Sequence, residues 1–368
     1  MLITGCARTQ HDDETPSPIG ERPAIGTHVD HAVLLNKPAL ISDTIARGEQ
    51  LFSTNFNTLD GAGRPNADAR GRPRTAMENR LLFDRVKGPD ASSCAGCHNM
   101  PVTGGAGDNA SNVFILPRLL PISSTSTDPN NAILNQPHLI LPGNERNTPG
   151  MFGTGYIELL AREMTEDLWS IRDQGIKKAQ ELAQELIVDL NTKGISFGQI
   201  KIAPDGVIDY TDLDGIDKDL IIRPFQSTGS VVSLREFTVI ASNFHHGMQA
   251  VELVGDTIDG DGDGIVNELS RGDITAMVLF QATLPVPERV STTNSIIQEG
   301  AQLFNNIGCA SCHIPKLPLK SPIFTEPGPF NPPEIMRSSD VSDLISIDLT
   351  DYMQGPPLEK DTSGIIWV

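Results

Sequence analysis

The spacing of apolar residues predicts a chain built mainly from helices. Apolar positions recur every three to four residues over 165–192, 233–248 and 273–283, which is the period of a helix with one buried face. Shorter amphipathic segments begin at 48–52 and at 300–304. The long stretches between them are rich in glycine and proline, so we expect the helices to be joined by long loops.

A strand pattern follows the first of these helices. Residues 195–209 alternate between apolar and polar side chains around the turn residues Pro204, Asp205 and Gly206, which predicts a small β-hairpin. Residues 284–294 carry two prolines and a polar run, and they read as a linker. The expected fold is therefore mainly α, with a small β-hairpin insertion.

The chain contains an internal repeat. GEQLF at 48–52 resembles GAQLF at 300–304, and each precedes a Cys-x-x-Cys-His unit, SCAGCH at 93–98 and GCASCH at 308–313. Phe304 and Cys309 are 5 positions apart, whereas 42 positions separate Phe52 from Cys94. We interpret this as one supersecondary unit used twice, with a long loop inserted in the first copy.

The repeated pentapeptide has the chemistry of a haem anchor. Two thiols at positions i and i+3 of a tight turn can form thioethers with the two vinyl groups of one haem, and the histidine at i+4 is then directed at the iron. The sequence therefore predicts two covalently bound haem c groups. Their attachment and proximal residues would be Cys94, Cys97 and His98 for the first, and Cys309, Cys312 and His313 for the second.

Two other uses of paired cysteines compete with this interpretation. In a zinc ribbon the two pairs usually lie about 15–20 residues apart, whereas Cys97 and Cys309 are far apart in this chain, and zinc does not explain a histidine after each pair. A redox-active dithiol would begin a helix in a βαβ unit, and that pattern is not evident around either pair. Both alternatives explain less of the pattern than haem does.

Length and charge limit the remaining possibilities. The chain has 368 residues, which is enough for two domains. We expect a tether at 1–40, a first cytochrome c-like haem domain with the insertions and an Asp-rich loop at 41–285, and a second, incomplete one at 286–368. The formal net charge of −19 disfavours nucleic acid and anionic membranes as partners and favours a basic protein.

The first residues resemble the processing site of a bacterial lipoprotein. Ile3-Thr4-Gly5-Cys6 matches such a site, and the polar, proline-containing stretch after it suits a flexible tether. A secretory signal also needs an apolar run of about 7–15 residues, and only Leu2 and Ile3 stand before the site. If this is a lipoprotein site, either the start codon was assigned too late or the sequence is a fragment. The alternative is that Cys6 is a cysteine near the terminus without a role in processing. Because haem c is attached outside the cytoplasmic membrane, we expect a periplasmic protein whose membrane contact is a lipid on Cys6.

Several stretches resemble the dihaem oxidoreductases, which are relatives of bacterial dihaem cytochrome c peroxidases and are sometimes labelled thiol oxidoreductases. The likeness covers most of residues 43–355 and is carried by SCAGCHNMPVTGG, RNTPGMFGTGYIELLARE, GIDKDLIIRPF, SLREFTVIASNFHHGMQAVE, DGDGDGIVNELSRGDITAMVLFQATLPVPER and GCASCHIPKL. The resemblance implies two cytochrome c-like domains. It also implies reduction of hydrogen peroxide or a related oxidant, with electrons from a small redox protein such as a cytochrome c or a cupredoxin.

Two other functions stay open beside peroxide reduction. One is a pure dihaem electron carrier, and the other is an enzyme that oxidises a partner protein or a metal. Members of the family also continue beyond a segment like DLTDYMQGPPLEKD, which lies at 348–361 here. We therefore expect a C-terminally truncated chain whose second haem pocket is incomplete.

Candidate second axial ligands lie at two places. Met353, 40 residues after His313, is flanked by glycine and proline as in a loop over a haem face, although a methionine also serves as a gap-filler in a core. His245 and His246 form the other candidate pair, as ligands or haem-propionate partners. On an α-helical wheel His245 lies on the apolar stripe and His246 points ~100° away, so we expect His245 to face the core or a haem and His246 to lie on the flank.

Acid–base and cation chemistry each have one candidate. Glu158 is a lone carboxylate in an apolar, glycine-rich run and is the candidate catalytic base for peroxide, or else an ordinary carboxylate at a helix start. The loop DGDGDGIVN at 259–267 has the ligand spacing of a calcium loop, although Ser270 occupies the position of the usual bidentate glutamate. Its predicted Ca²⁺ ligands are Asp259, Asp261, Asp263 and Asn267, and the alternative is a solvated acidic turn.

Overall fold

The structure is a computed structural model of the chain. It describes residues 22–35, 40–63, 91–107, 110–114, 143–226, 229–287, 293–352 and 358–368. Cys6 and Met353 lie outside these ranges. None of the described helices combines the length and the apolar character that crossing a bilayer requires.

Helices hold more of the described residues than strands do. The α-helices are α1 (His31–Leu35), α2 (Ile41–Ser53), α3 (Thr154–Leu182), α4 (Leu234–Ala241), α5 (Val251–Val254), α6 (Arg271–Ala282), α7 (Ser295–Asn306) and α8 (Leu349–Tyr352). Short 3₁₀ turns are formed by Cys94–Gly96, Cys309–Ser311 and Ser338–Asp340, and a π-helical turn by Ser242–His246.

The strands form small antiparallel sheets. They are β1 (Ala110–Phe114), β2 (Gly143–Asn147), β3 (Leu186–Thr192), β4 (Ile195–Ile202), β5 (Ile208–Asp209), β6 (Pro318–Leu319), β7 (Ile323–Glu326), β8 (Ile345–Asp348), β9 (Glu359–Lys360) and β10 (Ile366–Trp367). β1 pairs with β2 and β7 with β8, while β3–β4–β5 and β6–β10–β9 each form three strands in that order.

Helix α6 lies at the centre of the main core. Every residue of α6 after Arg271 is buried, as expected of a helix surrounded by packing partners. Helix α2 crosses it at Gly48, where a Cβ atom would lie only 2.0 Å from the carbonyl oxygen of Ala276, so only glycine allows this approach. The close crossing buries Leu51 and Phe52 of α2.

A second core lies in the insertion formed by α3 and the β3–β4–β5 sheet. Its fully buried side chains are Leu168, Ala179, Leu190, Ile200, Ile202 and Leu220. The prediction of one helix over 165–192 was wrong at both ends, because α3 begins at Thr154 and ends at Leu182. The following β-branched residues pair as β3, and Lys193 and Gly194, both with positive φ, form the two-residue hairpin turn to β4.

Three other predicted elements are confirmed. β4 and β5 pair as a hairpin within 195–209, and α6 covers most of 273–283. α4 and the π-helical turn together span most of 233–248. The division into two cytochrome c-like haem domains stays a prediction.

Candidate functional site

The first Cys-x-x-Cys-His unit forms a single tight turn. The hydroxyl oxygen of Ser93 accepts a hydrogen bond from the Gly96 amide at 3.0 Å, and this cap starts the 3₁₀ turn. The amides of Cys97 and His98 both donate to the carbonyl oxygen of Cys94, at 3.1 and 2.9 Å. The turn therefore carries both thiols and the imidazole on one short, fixed segment.

The orientation of His98 suits a metal ligand. Its Nδ1 lies 3.2 Å from the carbonyl oxygen of Gly105, and the ring also has a hydrogen bond to the Pro149 backbone. With Nδ1–H donating to Gly105, Nε2 is the nitrogen that would bind iron. Burial lowers the pKa of His98, which favours the neutral imidazole that binds metals. The donor set of this turn fits an axial haem ligand.

An apolar wall lies beside this turn. Its buried members are Phe52, Met151, Phe280 and Leu284, and Cys94, Ala95 and Phe152 pack against them. The Phe52 ring lies 6.1 Å from the His98 ring and 5.3 Å from the Phe280 ring, centroid to centroid. Helices α2 and α6 thus supply the kind of surface that a flat, apolar macrocycle packs against.

The histidine pair lies next to the same turn. Nε2 of His246 is 3.4 Å from the Cys94 sulfur, although 152 residues separate the two in sequence. Nδ1–H of His246 donates to the carbonyl oxygen of Ala91 at 2.8 Å, and the Phe56 ring lies 5.6 Å away. The structure therefore brings a second imidazole, from a distant part of the chain, to the first cysteine motif.

The predicted orientation of the two histidines was wrong. His246 is buried and His245 is only half-buried, the reverse of the α-helical wheel. The cause is the π-helical turn Ser242–His246. Its i→i+5 hydrogen bonding has more residues per turn than an α-helix, so the side chains after α4 point in other directions than the α-helical wheel gives. Turns of this type are frequent at functional sites, which agrees with the position of this one.

The second Cys-x-x-Cys-His unit has the same local geometry. The amides of Cys312 and His313 donate to the carbonyl oxygen of Cys309, at 3.2 and 2.9 Å. The Phe304 ring of α7 lies 5.9 Å from the His313 ring, as Phe52 of α2 lies beside His98. The predicted internal repeat is confirmed as a helix followed by a 3₁₀ turn.

The two copies differ in what surrounds them. Leu51 and Phe52 of α2 are 0 % and 2 % exposed, whereas their counterparts Leu303 and Phe304 of α7 are 57 % and 38 % exposed. A Cβ on Gly300 would meet nothing within 4 Å, in contrast to Gly48. Several large apolar side chains of this segment are exposed to solvent. They are Ile296, Ile297, Leu303, Phe304, Ile307 and Ile314.

Glu158 lies in a buried ion pair on α3. Its Oε1 accepts from Nη2 and Nε of Arg162 at 2.5 and 3.1 Å, and its Oε2 accepts from the Leu234 amide at 2.8 Å. The carboxylate thus joins α3 to the start of α4, and it is not the lone carboxylate that the sequence suggested. Its proposed role as a catalytic base stays a prediction.

The Asp-rich loop gathers three carboxylates. One oxygen each from Asp259, Asp261 and Asp263 lies within 4.8 Å of the others, and the described residues hold no other such acidic or histidine group. The amides of Gly262 and Gly264 donate to the two oxygens of Asp259 at 2.6 and 2.9 Å, which fixes this loop. Asn267 has a φ of 56°, and its role as a calcium ligand stays a prediction.

Glu268 lies beside this loop and is buried. Its Oε2 accepts from the Gln249 amide at 2.7 Å, and the side chain packs against Gly61. Burial, with the neighbouring Asp261, Asp263 and Asp259 carboxylates, raises the pKa of Glu268 to about 9. A cation in the loop would offset this repulsion.

Part of the chain matches a known protein family. Residues 248–327 match the family described as "Di-haem oxidoreductase, putative peroxidase". The chain resembles this family over a segment of 80 residues, which is less than a quarter of its length. The matched segment contains the Asp-rich loop, α6, α7 and the second cysteine motif, and the family implies haem cofactors. No curated protein and no solved structure matches the chain.

Two contacts in the structure were not predicted from the sequence. The Gly105 carbonyl that orients His98 lies in the glycine pair of SCAGCHNMPVTGG, and that pair is the one available sequence signal. The fully buried Arg235 binds two glutamates. Its only sequence signal is an arginine in the first turn of a largely apolar helix.

Proposed function

We propose that the chain is an exported dihaem c-type oxidoreductase that reduces hydrogen peroxide or a related oxidant with electrons from a small redox protein. One observation carries the proposal. The same thiol-bearing turn occurs twice, and in the first copy the Gly105 carbonyl fixes Nδ1 of the His98 ring. The family assignment supports both the haem and the oxidoreductase chemistry.

Each residue of the two turns has a defined task in this proposal. Thioether bonds hold the two haems, and a histidine in each turn binds iron, which supplies electron transfer and reduction of the oxidant. The holding residues are Cys94, Cys97 and His98, and Cys309, Cys312 and His313. The wall around Phe52 excludes water from the first site, and Gly105 keeps the His98 ring in place.

We propose His246, and not His245, as the second histidine that would help hold the first haem. His246 is the buried ring of the pair, and its Nε2 lies against the cysteine that anchors this haem. Its Nδ1–H is fixed by the Ala91 carbonyl, which leaves Nε2 as the basic atom. Met353 is proposed as the corresponding ligand of the second haem.

A second candidate function is a non-catalytic electron carrier. The presence of His98 and His246 at one motif favours it, because an iron held by two imidazoles would have no open position for an oxidant. If the chain is an enzyme, a first haem held by two histidines would accept electrons from the donor. The second haem would then reduce the oxidant. The two functions therefore differ only in what happens at the second haem.

Steady-state peroxide reduction tests the proposed function. The holoprotein is mixed with a reduced small redox protein and hydrogen peroxide, and oxidation of the donor is followed. We expect peroxide-dependent oxidation of the donor by wild type. The His313→Ala variant should lose this activity, and the Glu158→Gln variant should lose it if Glu158 is the catalytic base. Two low-spin haems without peroxide-dependent oxidation would contradict the enzyme and establish the carrier.

The proposed protein also binds Ca²⁺ and is exported to the periplasm. The three clustered carboxylates and the raised pKa of Glu268 support Ca²⁺ binding by the Asp-rich loop. The lipoprotein-like sequence around Cys6 supports a periplasmic protein anchored through a lipid. The net charge of −19 supports a donor with a basic docking face.

A further inference from the structure

A network of buried charges lies where α3, α4 and α5 meet β7. Arg235 of α4 is fully buried, and its guanidinium donates to Glu326 of β7 and to both oxygens of Glu252 of α5, the latter at 2.5 and 3.0 Å. The side chains of Glu252 and Glu326 are 2 % and 1 % exposed. One arginine thus joins two acidic side chains from different parts of the chain.

The Glu158–Arg162 pair of α3 extends this network to the same strand. Arg162 donates through Nη1 to the carbonyl and hydroxyl oxygens of Thr325, at 2.9 and 3.0 Å. Both members of the pair act electrostatically on Glu326, which follows Thr325. The network therefore contains three carboxyl groups and two guanidinium groups, and all of them are buried.

The charges of this network do not balance when every group is ionised. Three carboxylates against two guanidiniums leave one excess negative charge inside the protein. An uncompensated interior charge is costly, and a buried carboxyl group usually avoids it by taking up a proton. The network is therefore expected to hold one proton.

The hydrogen bonds point to the carboxyl group that takes that proton. Both oxygens of Glu158 and both oxygens of Glu252 accept hydrogen bonds. On Glu326 only Oε1 does so, from Arg235, while Oε2 is buried with no hydrogen-bond partner among the described residues. An ionised oxygen without a donor is the least stable site for the excess charge.

We infer that Glu326 is a proton-binding site whose protonated carboxyl group joins β7 to α4 through Arg235. β7 lies ten residues after His313, so this site lies where the segment that follows the second cysteine motif contacts α4. The inference goes beyond the proposed function and does not depend on haem. Burial raises the pKa of Glu326 to about 7, so the proton exchanges near neutral pH.

Other titratable groups face the same network. His31 of α1 contacts Thr275 at 3.0 Å, and Thr275 in turn accepts from Arg235. Burial and Arg235 lower the pKa of His31 to about 4, so this ring is neutral where Glu326 titrates. Arg271 of α6 is paired with the exposed Asp256 at 2.6 Å and adds no net charge. The excess charge is therefore not cancelled from α1 or α6.

Infrared spectroscopy of the purified holoprotein tests this site directly. A protonated carboxyl group has a carbonyl stretch that is resolved from ionised carboxylates. We expect wild type to lose one such band between about pH 6 and about pH 8, around the pKa of Glu326. Glu326→Gln lacks this change, whereas the control Glu359→Gln, which alters an exposed carboxylate paired with Lys316, retains it.

Two results would overturn the inference. One is a wild-type protein in which no carboxylic acid band titrates over this interval, a reading that needs no variant. The other is a band that titrates identically in wild type and Glu326→Gln. Glu268 does not confuse the comparison, because its pKa is near 9 and its band persists in both proteins through the interval.

Discussion

Replacing Glu326 by glutamine is expected to change how stability depends on pH. Glutamine keeps the shape of the protonated carboxyl group and has no charge to bury. The pKa of Glu326 is raised from 4.5 to about 7 in the folded chain, mainly by burial. Between these values the folded state binds more protons than the unfolded state, so the free energy of unfolding of wild type falls as pH rises.

The size of this effect follows from the shift in pKa. A shift from 4.5 to about 7 corresponds to roughly 3 kcal/mol, at about 1.4 kcal/mol for each unit. The contribution of Glu326 is fully present below about pH 4.5 and is lost above about pH 7. Glu326→Gln lacks this loss, so its stability relative to wild type should increase by roughly 3 kcal/mol over the interval.

Urea unfolding of both proteins at a series of pH values measures this difference. His31 acts in the opposite direction, because its lowered pKa of about 4 makes stability rise with pH up to about 6.5. That contribution is common to both proteins and cancels when one is subtracted from the other. A stability difference that stays constant from about pH 4.5 to about pH 8 would refute a proton on Glu326.

The remaining predictions concern the repeat, the loop and the first haem. Leu51→Ala should cost about 2–5 kcal/mol of unfolding free energy because Leu51 is fully buried, whereas Leu303→Ala should cost under about 1 kcal/mol; equal losses in urea titrations would contradict the asymmetry between α2 and α7. Calcium binding should release a proton near neutral pH, since a cation would lower the pKa of Glu268 from about 9, and calorimetry in buffers of different ionisation enthalpy should show this in wild type and not in Glu268→Gln. His246→Ala should convert the absorption spectrum of the first haem from low to high spin, while His245→Ala should leave it low-spin; the opposite assignment would show that the buried ring is not the ligand.

Local chemistry could be predicted from the sequence because it depends on neighbours in the chain. The thiols and histidine of each motif are positioned by bonds that span three or four residues, from Cys97 and His98 to the Cys94 carbonyl. The same holds for the clustered aspartates of the loop 259–263 and for the helix-plus-turn repeat. The family assignment made from these motifs is also supported by the match over 248–327.

Contacts between distant segments could not be predicted in this way. The approach of His246 to Cys94 depends on a π-helical turn, and helical periodicity assumes that no such turn is present. The pairing of Glu158 with Leu234, and of Arg235 with Glu326, depends on how helices and strands pack. The predicted helix extended beyond the end of α3 because Leu186 and the residues after it also fit a helical pattern. In the structure these residues form β3, which pairs with β4.

The most direct test of the central claim is the mass of the denatured protein after expression with a cytochrome maturation system. Covalent attachment predicts a mass increase of two haem groups that survives acid and organic solvent. Serine substitution of Cys94 and Cys97 should remove one of them, and substitution of Cys309 and Cys312 should remove the other. A mature, folded chain whose mass equals that of the polypeptide alone would contradict the account.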